Sequence, residues 1–247
     1  MDLSERGAEP TDRHPWEQAR ARFIRRTMLA PLDRAAVHRV LDVGAGDAWL
    51  CGQIRLDFPD SVEYTAWYRH YSYQDLATLP RASNVRLVRE LDRRQYDLVM
   101  LFDVLEHIED DAGFLARLVQ EHLAPGGHAL VTVPAQPWLF TLHDTALHHF
   151  RRYTPRTIRP LLAAAGLEVL RSGGLFHSLV APRAAIKMKE ALFPDSRART
   201  LSDWNHGRAT TAVFSAALAA DTWVSAHTAW LPWSLPGTSW WAVCQKP

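Results

Sequence analysis

Short apolar runs alternate with amphipathic stretches along the first two thirds of the chain. The apolar runs predict six strands, at residues 39–43, 62–68, 85–88, 97–102, 129–133 and 167–171. Helices are predicted between and before them, at residues 16–29, 49–58, 112–123 and 155–165. Strands that alternate with helices imply right-handed crossovers, so the pattern predicts an α/β fold with a doubly wound, mainly parallel sheet.

The alternation stops after residue 173. Helices predicted over residues 182–192 and 208–230 precede a seventh strand at residues 239–244. Apolar positions recur at near-helical spacing in the second helix, at Val213, Ala217, Ala220, Val224 and Leu231. This stripe predicts packing on the sheet or on the second subunit of a homodimer, with a tryptophan-lined substrate cap as the alternative.

These segments suggest one domain over residues 16–247 with a helical insertion at about 175–236. The polar segment at residues 1–15 is expected to be disordered. Four arginines lie on the predicted helix at residues 16–29. We expect them to form a solvated face, although a lid over a ligand site would also use such a helix.

Composition excludes several classes of function. The net charge of +1 argues against a nucleic-acid partner, and no apolar run reaches the eighteen residues of a membrane-spanning helix. The two cysteines, Cys51 and Cys244, are far apart and lack metal-ligand spacing. They favour a reducing compartment, so we expect a cytoplasmic protein.

A glycine-rich turn is the first candidate for chemistry. The stretch LDVGAGDA, residues 41–48, follows a predicted strand and opens a helix. Gly44 and Gly46 permit a tight turn and close approach of a ligand to the backbone. The pattern also fits a dinucleotide site, but the third glycine of that fingerprint is absent.

Four further segments follow the turn in a fixed order. They are YDLVMLFDVLEHIEDD at residues 96–111, LAPGGHALVTVPA at 123–135, HDTALHHFRRYT at 143–154 and LLAAAGLEVL at 161–170. Together with the turn they resemble class I S-adenosylmethionine (SAM)-dependent methyltransferases of the type 11/23 families, over about residues 15–180. The closing PGTSWWAV, residues 236–243, resembles the last strand of those families. The resemblance implies a seven-stranded sheet, SAM as the cofactor and a small-molecule methyl acceptor.

The resemblance also implies a set of cofactor-contacting residues. Positions matching the turn would surround the methionine moiety, the end of the fourth strand would meet its amino or carboxylate end, and Glu90 or Asp92 would lie near the adenine. The full set is Asp42, Gly44, Ala45, Gly46, Tyr68, Glu90, Leu91, Phe102, Asp103 and His107.

Tyr68 departs from the family pattern. Relatives carry an acidic residue at the end of the second strand, where it accepts hydrogen bonds from both ribose hydroxyls. A phenol cannot form that bidentate contact. SAM binding is then weaker, another group replaces the acid, or the protein no longer methylates; we favour these alternatives in that order.

The histidines of HDTALHHFRRYT are expected to face residues 103–107 across the site, because both segments follow central strands. His143 and His149 match family histidines and are candidate general bases for a hydroxyl acceptor, whereas His148 stands where relatives carry a small residue.

Two other interpretations of this region stay open. Asp103, Glu106 and His107 have i, i+3, i+4 spacing and could bind Mg, Mn or Zn with a later histidine, although we expect no metal. Alternatively, Asp144, Arg151, Arg152 and Tyr153 only order the loop.

The sequence therefore predicts a SAM-dependent methyltransferase acting on a small molecule, at oxygen in the first instance, with nitrogen or carbon as alternatives. The rival functions are a SAM-fold enzyme with non-methylating chemistry, such as a cyclisation or elimination, and a catalytically silent SAM-binding partner.

Overall fold

The computed structural model describes residues 13–79, 81–193, 207–229 and 235–247. Its centre is a seven-stranded sheet in the order β3-β2-β1-β4-β5-β7-β6. The strands are β1 (Arg39–Val43), β2 (Glu63–Trp67), β3 (Val85–Val88), β4 (Tyr96–Phe102), β5 (Leu123–Pro134), β6 (Glu168–Leu175) and β7 (Ser239–Gln245). Only β7 runs antiparallel to its neighbours β5 and β6, which confirms the predicted mainly parallel sheet.

Eight α-helices occur in the described ranges. They are α1 (Pro15–Phe23), α2 (Trp49–Ile54), α3 (Tyr73–Thr78), α4 (Asp111–His122), α5 (Leu142–Ala146), α6 (Pro155–Ala164), α7 (Val180–Leu192) and α8 (Arg208–Thr228). A π-helical turn, Ile24–Met28, continues α1. None of the helices in these ranges has the length and apolarity needed to cross a membrane.

The core lies on both faces of the sheet, and neighbouring residues of one strand face opposite sides. Val40 and Met100 belong to one apolar cluster, while the adjacent Leu41 and Leu101 belong to the other. Burial on both faces is typical of central parallel strands and explains why β1 and β4 are nearly continuous apolar runs.

The helix α4 ends earlier than the sequence predicted. It stops at His122, one residue before the predicted end, and the chain enters β5 at Leu123, six residues before the predicted start of that strand. The Pro-Gly-Gly stretch at residues 125–127 therefore lies inside the strand. The pairing of β4 with β5 shifts register between Tyr96 and Leu98, which accommodates this irregular start.

The helices between β6 and β7 were predicted, but the buried face of α8 was not. Leu218, Asp221 and Ser225 are its buried residues, and the helix contacts α1 and β6. Val213 is 72% exposed, and Ala217 and Ala220 are also exposed. The predicted apolar stripe is therefore wrong for the packing of the single chain, because Asp221 turns inward to accept hydrogen bonds from the backbone and hydroxyl of Ser178.

Parts of two predictions fall outside the described ranges. Leu231 of the stripe and residues 1–12 of the expected disordered segment lie there. His14 and Pro15 belong to the start of α1, where the imidazole of His14 accepts a hydrogen bond from the backbone N–H of Trp16.

Candidate active site

The glycine turn joins β1 to α2 at the carboxyl edge of the sheet. Gly44 has φ +71°, and a Cβ atom there would lie 2.9 Å from the side chain of Val104. The backbone N–H groups of Gly44 and Ala45 both donate to the carbonyl of Trp67, at 2.8 and 3.0 Å. These two amides therefore anchor the turn to β2, and glycine at position 44 is required by both conformation and space.

The turn borders a cleft that contains part of the predicted cofactor set. Asp42, Gly44, Ala45 and Phe102 line it, as expected. Five residues that the resemblance did not imply complete the lining: Glu17, Arg20, Asp47, Trp49 and Leu50. The helix α1 thus forms one wall of the cleft, as a lid would, and the solvated-face interpretation is wrong for its inner side.

Arg20 is one of these five residues, and its burial was not predicted from the sequence. It is 5% exposed, its guanidinium forms an ion pair with the carboxylate of Asp103, and it lies 4.4 Å from the ring centroid of Trp16. The sequence spacing indicates this burial, since Arg20 lies four residues after Trp16 and three before the buried Phe23, on the same face of the helix.

Asp103 ends β4 in a strained conformation. Its φ is +57°, which is rare for a residue with a side chain. Its backbone N–H donates to the Thr132 carbonyl at 3.0 Å, and the Thr132 hydroxyl donates to Oδ1 at 3.1 Å. Oδ2 meets Arg20, so both oxygens of the carboxylate are held. Strain of this kind concentrates at functional sites.

Asp42 is 4% exposed at the end of β1. Burial raises its pKa to about 7, because the low-polarity surroundings disfavour the charged carboxylate. A cationic ligand in the cleft would favour the ionised form.

Three predicted cofactor residues, Tyr68, Glu90 and Leu91, follow strands β2 and β3. Tyr68 follows β2, donates its backbone N–H to Val88 at 3.1 Å and packs edge-on against Tyr71. Glu90 is exposed, and Leu91 packs partly buried against the second apolar cluster. None of the three is among the described residues that line the cleft, so their contact with a cofactor stays a prediction.

Glu106 and His107 occupy a 3₁₀ turn directly after Asp103. Glu106 has no exposed surface, and neither carboxyl oxygen has a hydrogen-bond partner among the described residues. Burial and the nearby charge of Asp103 raise its pKa well above the usual range. Ligand-type atoms of Glu106, His107 and His149 all lie within 4.8 Å of one another; we call these three residues the Glu-His-His cluster. His107 faces His149 with ring centroids 4.6 Å apart, and its predicted contact with the cofactor stays a prediction.

Asp144 organises the loop after β5. Its carboxylate has no exposed surface and accepts hydrogen bonds from His149 Nδ1 at 3.1 Å, Arg152 at 2.8 Å and Arg183 at 2.7 Å. Burial alone would raise the pKa of Asp144, but the hydrogen bonds from His149 and Arg152 and the charges of the arginines hold it well below the usual range.

The three histidines of the loop have different surroundings. His149 joins the Glu-His-His cluster, as the predicted approach to residues 103–107 requires. His143 is half-buried, its Nδ1 has no partner among the described residues, and burial followed by the charge of Arg183 lowers its pKa. His148 is exposed and has φ +57°, a conformation that residues with a side chain adopt rarely.

The other polar residues of this stretch order the loop. Arg151 forms an ion pair with Asp111 at 3.1 Å, and the Tyr153 hydroxyl donates to the same carboxylate at 2.7 Å. Arg152 also donates to the Ala135 carbonyl at 2.9 Å. These contacts fit the structural interpretation of these positions.

A family model described as a methyltransferase domain matches residues 16–172, well over half of the chain. The chain belongs to the methyltransferase domain family. The glycine turn, the Asp103–His107 segment and the histidine loop all lie inside the matched range of the chain.

Individual relatives are more distant. A probable S-adenosylmethionine-dependent methyltransferase of Mycolicibacterium smegmatis is 36% identical over 83 residues, which cover 33% of this chain and 32% of that protein. A ubiquinone biosynthesis O-methyltransferase of Rhodopseudomonas palustris is 28% identical over 166 residues, 59% of this chain and 64% of that protein. The chain thus spans about a third of the length of the first relative and just under two thirds of the length of the second.

The fold is shared more widely than the sequence. The crystal structure of an S-adenosylmethionine-dependent methyltransferase from Mesorhizobium loti has a TM-score of 0.55 and 15% identity. The alignment covers 94% of this chain and 98% of that chain. At this identity the likeness establishes the Rossmann-like methyltransferase fold alone.

Proposed function

We propose that this protein transfers the methyl group of SAM to a hydroxyl of a small molecule. The observation that carries the proposal is a row of polar side chains at the carboxyl ends of the central strands. Arg20, which pairs with Asp103, lines the same cleft as Gly44 of the glycine turn, and two members of the Glu-His-His cluster, Glu106 and His107, follow within four residues of Asp103. This arrangement supports a cofactor site next to a site for an acceptor.

The residues of the cleft fit the amino-acid end of SAM. That end carries one ammonium and one carboxylate, and the buried Arg20–Asp103 pair offers the complementary charges. Arg20 would bind the carboxylate in a bidentate manner, and Asp103 would accept from the ammonium. The ionised form of Asp42 would face the positive sulfonium, which supplies a methyl group on a good leaving group.

The reaction needs alignment and the loss of one proton. The acceptor oxygen forms a bond to the methyl carbon, and the carbon–sulfur bond breaks with its electron pair passing to sulfur. The hydroxyl proton ends in solvent. We propose His149, rather than His143, as the histidine that acts on the hydroxyl, because Asp144 orients its ring and Glu106 and His107 lie beside it.

Oxygen as the acceptor atom is supported by the histidine at this edge and by the O-methyltransferase named among the relatives. Tyr68 supports the rival function, a SAM-fold enzyme that does not methylate, because it replaces the acid that relatives use at the ribose.

The test is transfer of label from methyl-labelled SAM to a panel of phenols, hydroquinones and amines and to a fractionated host extract. We expect label in the ether products of hydroxyl acceptors and S-adenosylhomocysteine (SAH) as the second product. Label only in amines would contradict the choice of oxygen. SAH binding without label in any fraction would support the non-methylating rival, and no binding of SAM or SAH at roughly millimolar concentration would overturn the proposal.

A further inference from the structure

We propose that Glu106, His107 and His149 bind a divalent transition-metal ion at the acceptor side of the cleft. One carboxyl group and two imidazoles place ligand-type atoms within 4.8 Å of one another. A single ion bonded at roughly 2.0–2.2 Å to each of three atoms holds those atoms at most about 4.4 Å apart, so a small rotation of the side chains is enough to close the cluster around an ion.

The buried carboxyl group of Glu106 is the feature that indicates a bound cation. A carboxyl group with no exposed surface normally has hydrogen-bond partners, yet neither oxygen has one among the described residues. A cation beside it would supply the missing partner. The backbone carbonyl of Glu106 is meanwhile fixed, since it accepts from the Phe150 N–H at 2.8 Å. That bond ties the residue after His149 to Glu106 and preforms the cluster.

His149 has the orientation of a metal ligand. Its Nδ1 lies 3.1 Å from the carboxylate of Asp144, which leaves the lone pair on Nε2 for another partner. Metal-bound histidines commonly use one ring nitrogen for the ion and donate the other to a carboxylate. Asp144 is itself held by ion pairs with Arg152 and Arg183, so its contact with Nδ1 fixes the orientation of the His149 ring.

The charges around the cluster are already matched. Arg20 pairs with Asp103, and Arg152 and Arg183 pair with Asp144. An incoming ion would therefore meet the carboxyl group of Glu106 and two imidazoles rather than an unpaired arginine.

The donor set selects the class of ion. Two nitrogen donors and one oxygen donor suit Zn²⁺, Mn²⁺, Fe²⁺ or Co²⁺ better than Ca²⁺ or Mg²⁺, which prefer oxygen ligands. Three protein ligands leave positions for water and for a hydroxyl of the acceptor, whose pKa an ion would lower. His149 would then act on the hydroxyl through the ion and not as a base. This role for the ion rests on the proposed function, whereas metal binding itself does not.

The experiment is calorimetric titration of the EDTA-treated full chain with Co²⁺ and Zn²⁺, alongside metal analysis of the protein as purified. We expect saturable binding near one ion per chain and Co²⁺ absorption bands typical of nitrogen ligation. His149→Ala and Glu106→Gln should each weaken binding at least about tenfold, and Asp144→Asn about 10–100-fold. His148→Ala is the matched control, because His148 is exposed one residue away and should bind like the wild type.

The absence of saturable binding up to about millimolar metal would overturn the proposal and leave His149 to act on the hydroxyl directly. Equal affinities for the His149→Ala and His148→Ala variants, with both folded by circular dichroism, would also overturn it. A parallel titration with SAH separates the two proposals. SAH binding without metal binding refutes only the metal site, and metal binding without SAH binding refutes the methyltransferase function.

Discussion

His149 Nδ1 lies 3.1 Å from Oδ1 of Asp144, a carboxylate with no exposed surface. Arg183 reaches the same carboxylate from α7 at 2.7 Å, and Glu190 of α7 accepts from the Leu142 N–H at 3.1 Å. The helix that follows β6 therefore holds the loop that carries the histidine. The position of His149 therefore depends on α7, a helix far from the glycine turn in the sequence.

Asp144→Asn should destabilise the fold by about 3–5 kcal/mol, since it leaves two largely buried arginines without their counter-charge. Urea unfolding measures the effect. Asp92→Asn is the control, because Asp92 forms exposed ion pairs with Arg86 and Arg94 and should cost less than about 1 kcal/mol. Equal stabilities of the two variants would show that Asp144 does not organise the loop.

The contacts of Asp144 also predict how the stability of the fold changes at low pH. The pKa of Asp144 is held below its usual range in the folded state, so the unfolded chain takes up a proton first as the pH falls. Its stabilisation is present above about pH 4 and is lost progressively below that value. The difference in unfolding free energy between the wild type and Asp144→Asn should therefore shrink between pH 5 and pH 3, and a constant difference would contradict the assignment.

Asp42 predicts that stability falls as the pH rises, over a higher pH range than the effect of Asp144. Its folded pKa of about 7 lies above the unfolded value of 3.8, so the folded state keeps the proton longer and loses stability as the pH rises between those values. The loss is on the order of 4 kcal/mol if the full displacement is expressed. Asp42→Asn cannot ionise, so its stability relative to the wild type should be greater at pH 8 than at pH 5. Urea unfolding measures both proteins at both pH values. The same difference in unfolding free energy between Asp42→Asn and the wild type at pH 5 and pH 8 would refute this.

Arg20→Gln should weaken SAH binding by about 1.5–3 kcal/mol, roughly 10–150-fold, because a charged hydrogen bond to the carboxylate is lost. Calorimetric titration at fixed pH measures it. Arg22→Gln is the matched control, since Arg22 is exposed on the same helix and should leave the affinity unchanged. Equal affinities for the two variants would remove Arg20 from the cofactor site.

Tyr68→Asp should strengthen SAH binding by about 1–3 kcal/mol, because it places a carboxylate where relatives bind the ribose hydroxyls. Tyr73→Asp introduces the same charge at an 83% exposed position five residues later and should have no effect. Unchanged or weaker binding by a folded Tyr68→Asp protein would show that position 68 does not meet the ribose.

The sheet could be predicted because β1 and β4 are buried on both faces and leave nearly continuous apolar runs. The short helices α3 and α5 have too few residues to show a periodicity. Their only signals are the capping boxes that begin at Ser72 and Thr141. Arg20 was misjudged because an arginine on an amphipathic helix is ordinarily solvated, and only its ion pair with Asp103 explains its burial.

The site was predictable where family motifs mark it and not where distant segments complete it. Asp42, Gly44 and Phe102 follow from the turn and the fourth strand. The contact of Arg183 with Asp144 joins residues 39 positions apart and leaves no local pattern. The inward turn of Asp221 on α8 likewise depends on a partner, Ser178, that sequence periodicity cannot show.

A crystal structure of the protein with SAH tests the central claim most directly. The account predicts the SAH carboxylate against Arg20, its ammonium against Asp103, and its sulfur between Asp42 and the Glu-His-His cluster, with His149 nearer than His143. SAH bound with its amino-acid end away from Arg20, or with its sulfur facing away from His149, would contradict the assigned site.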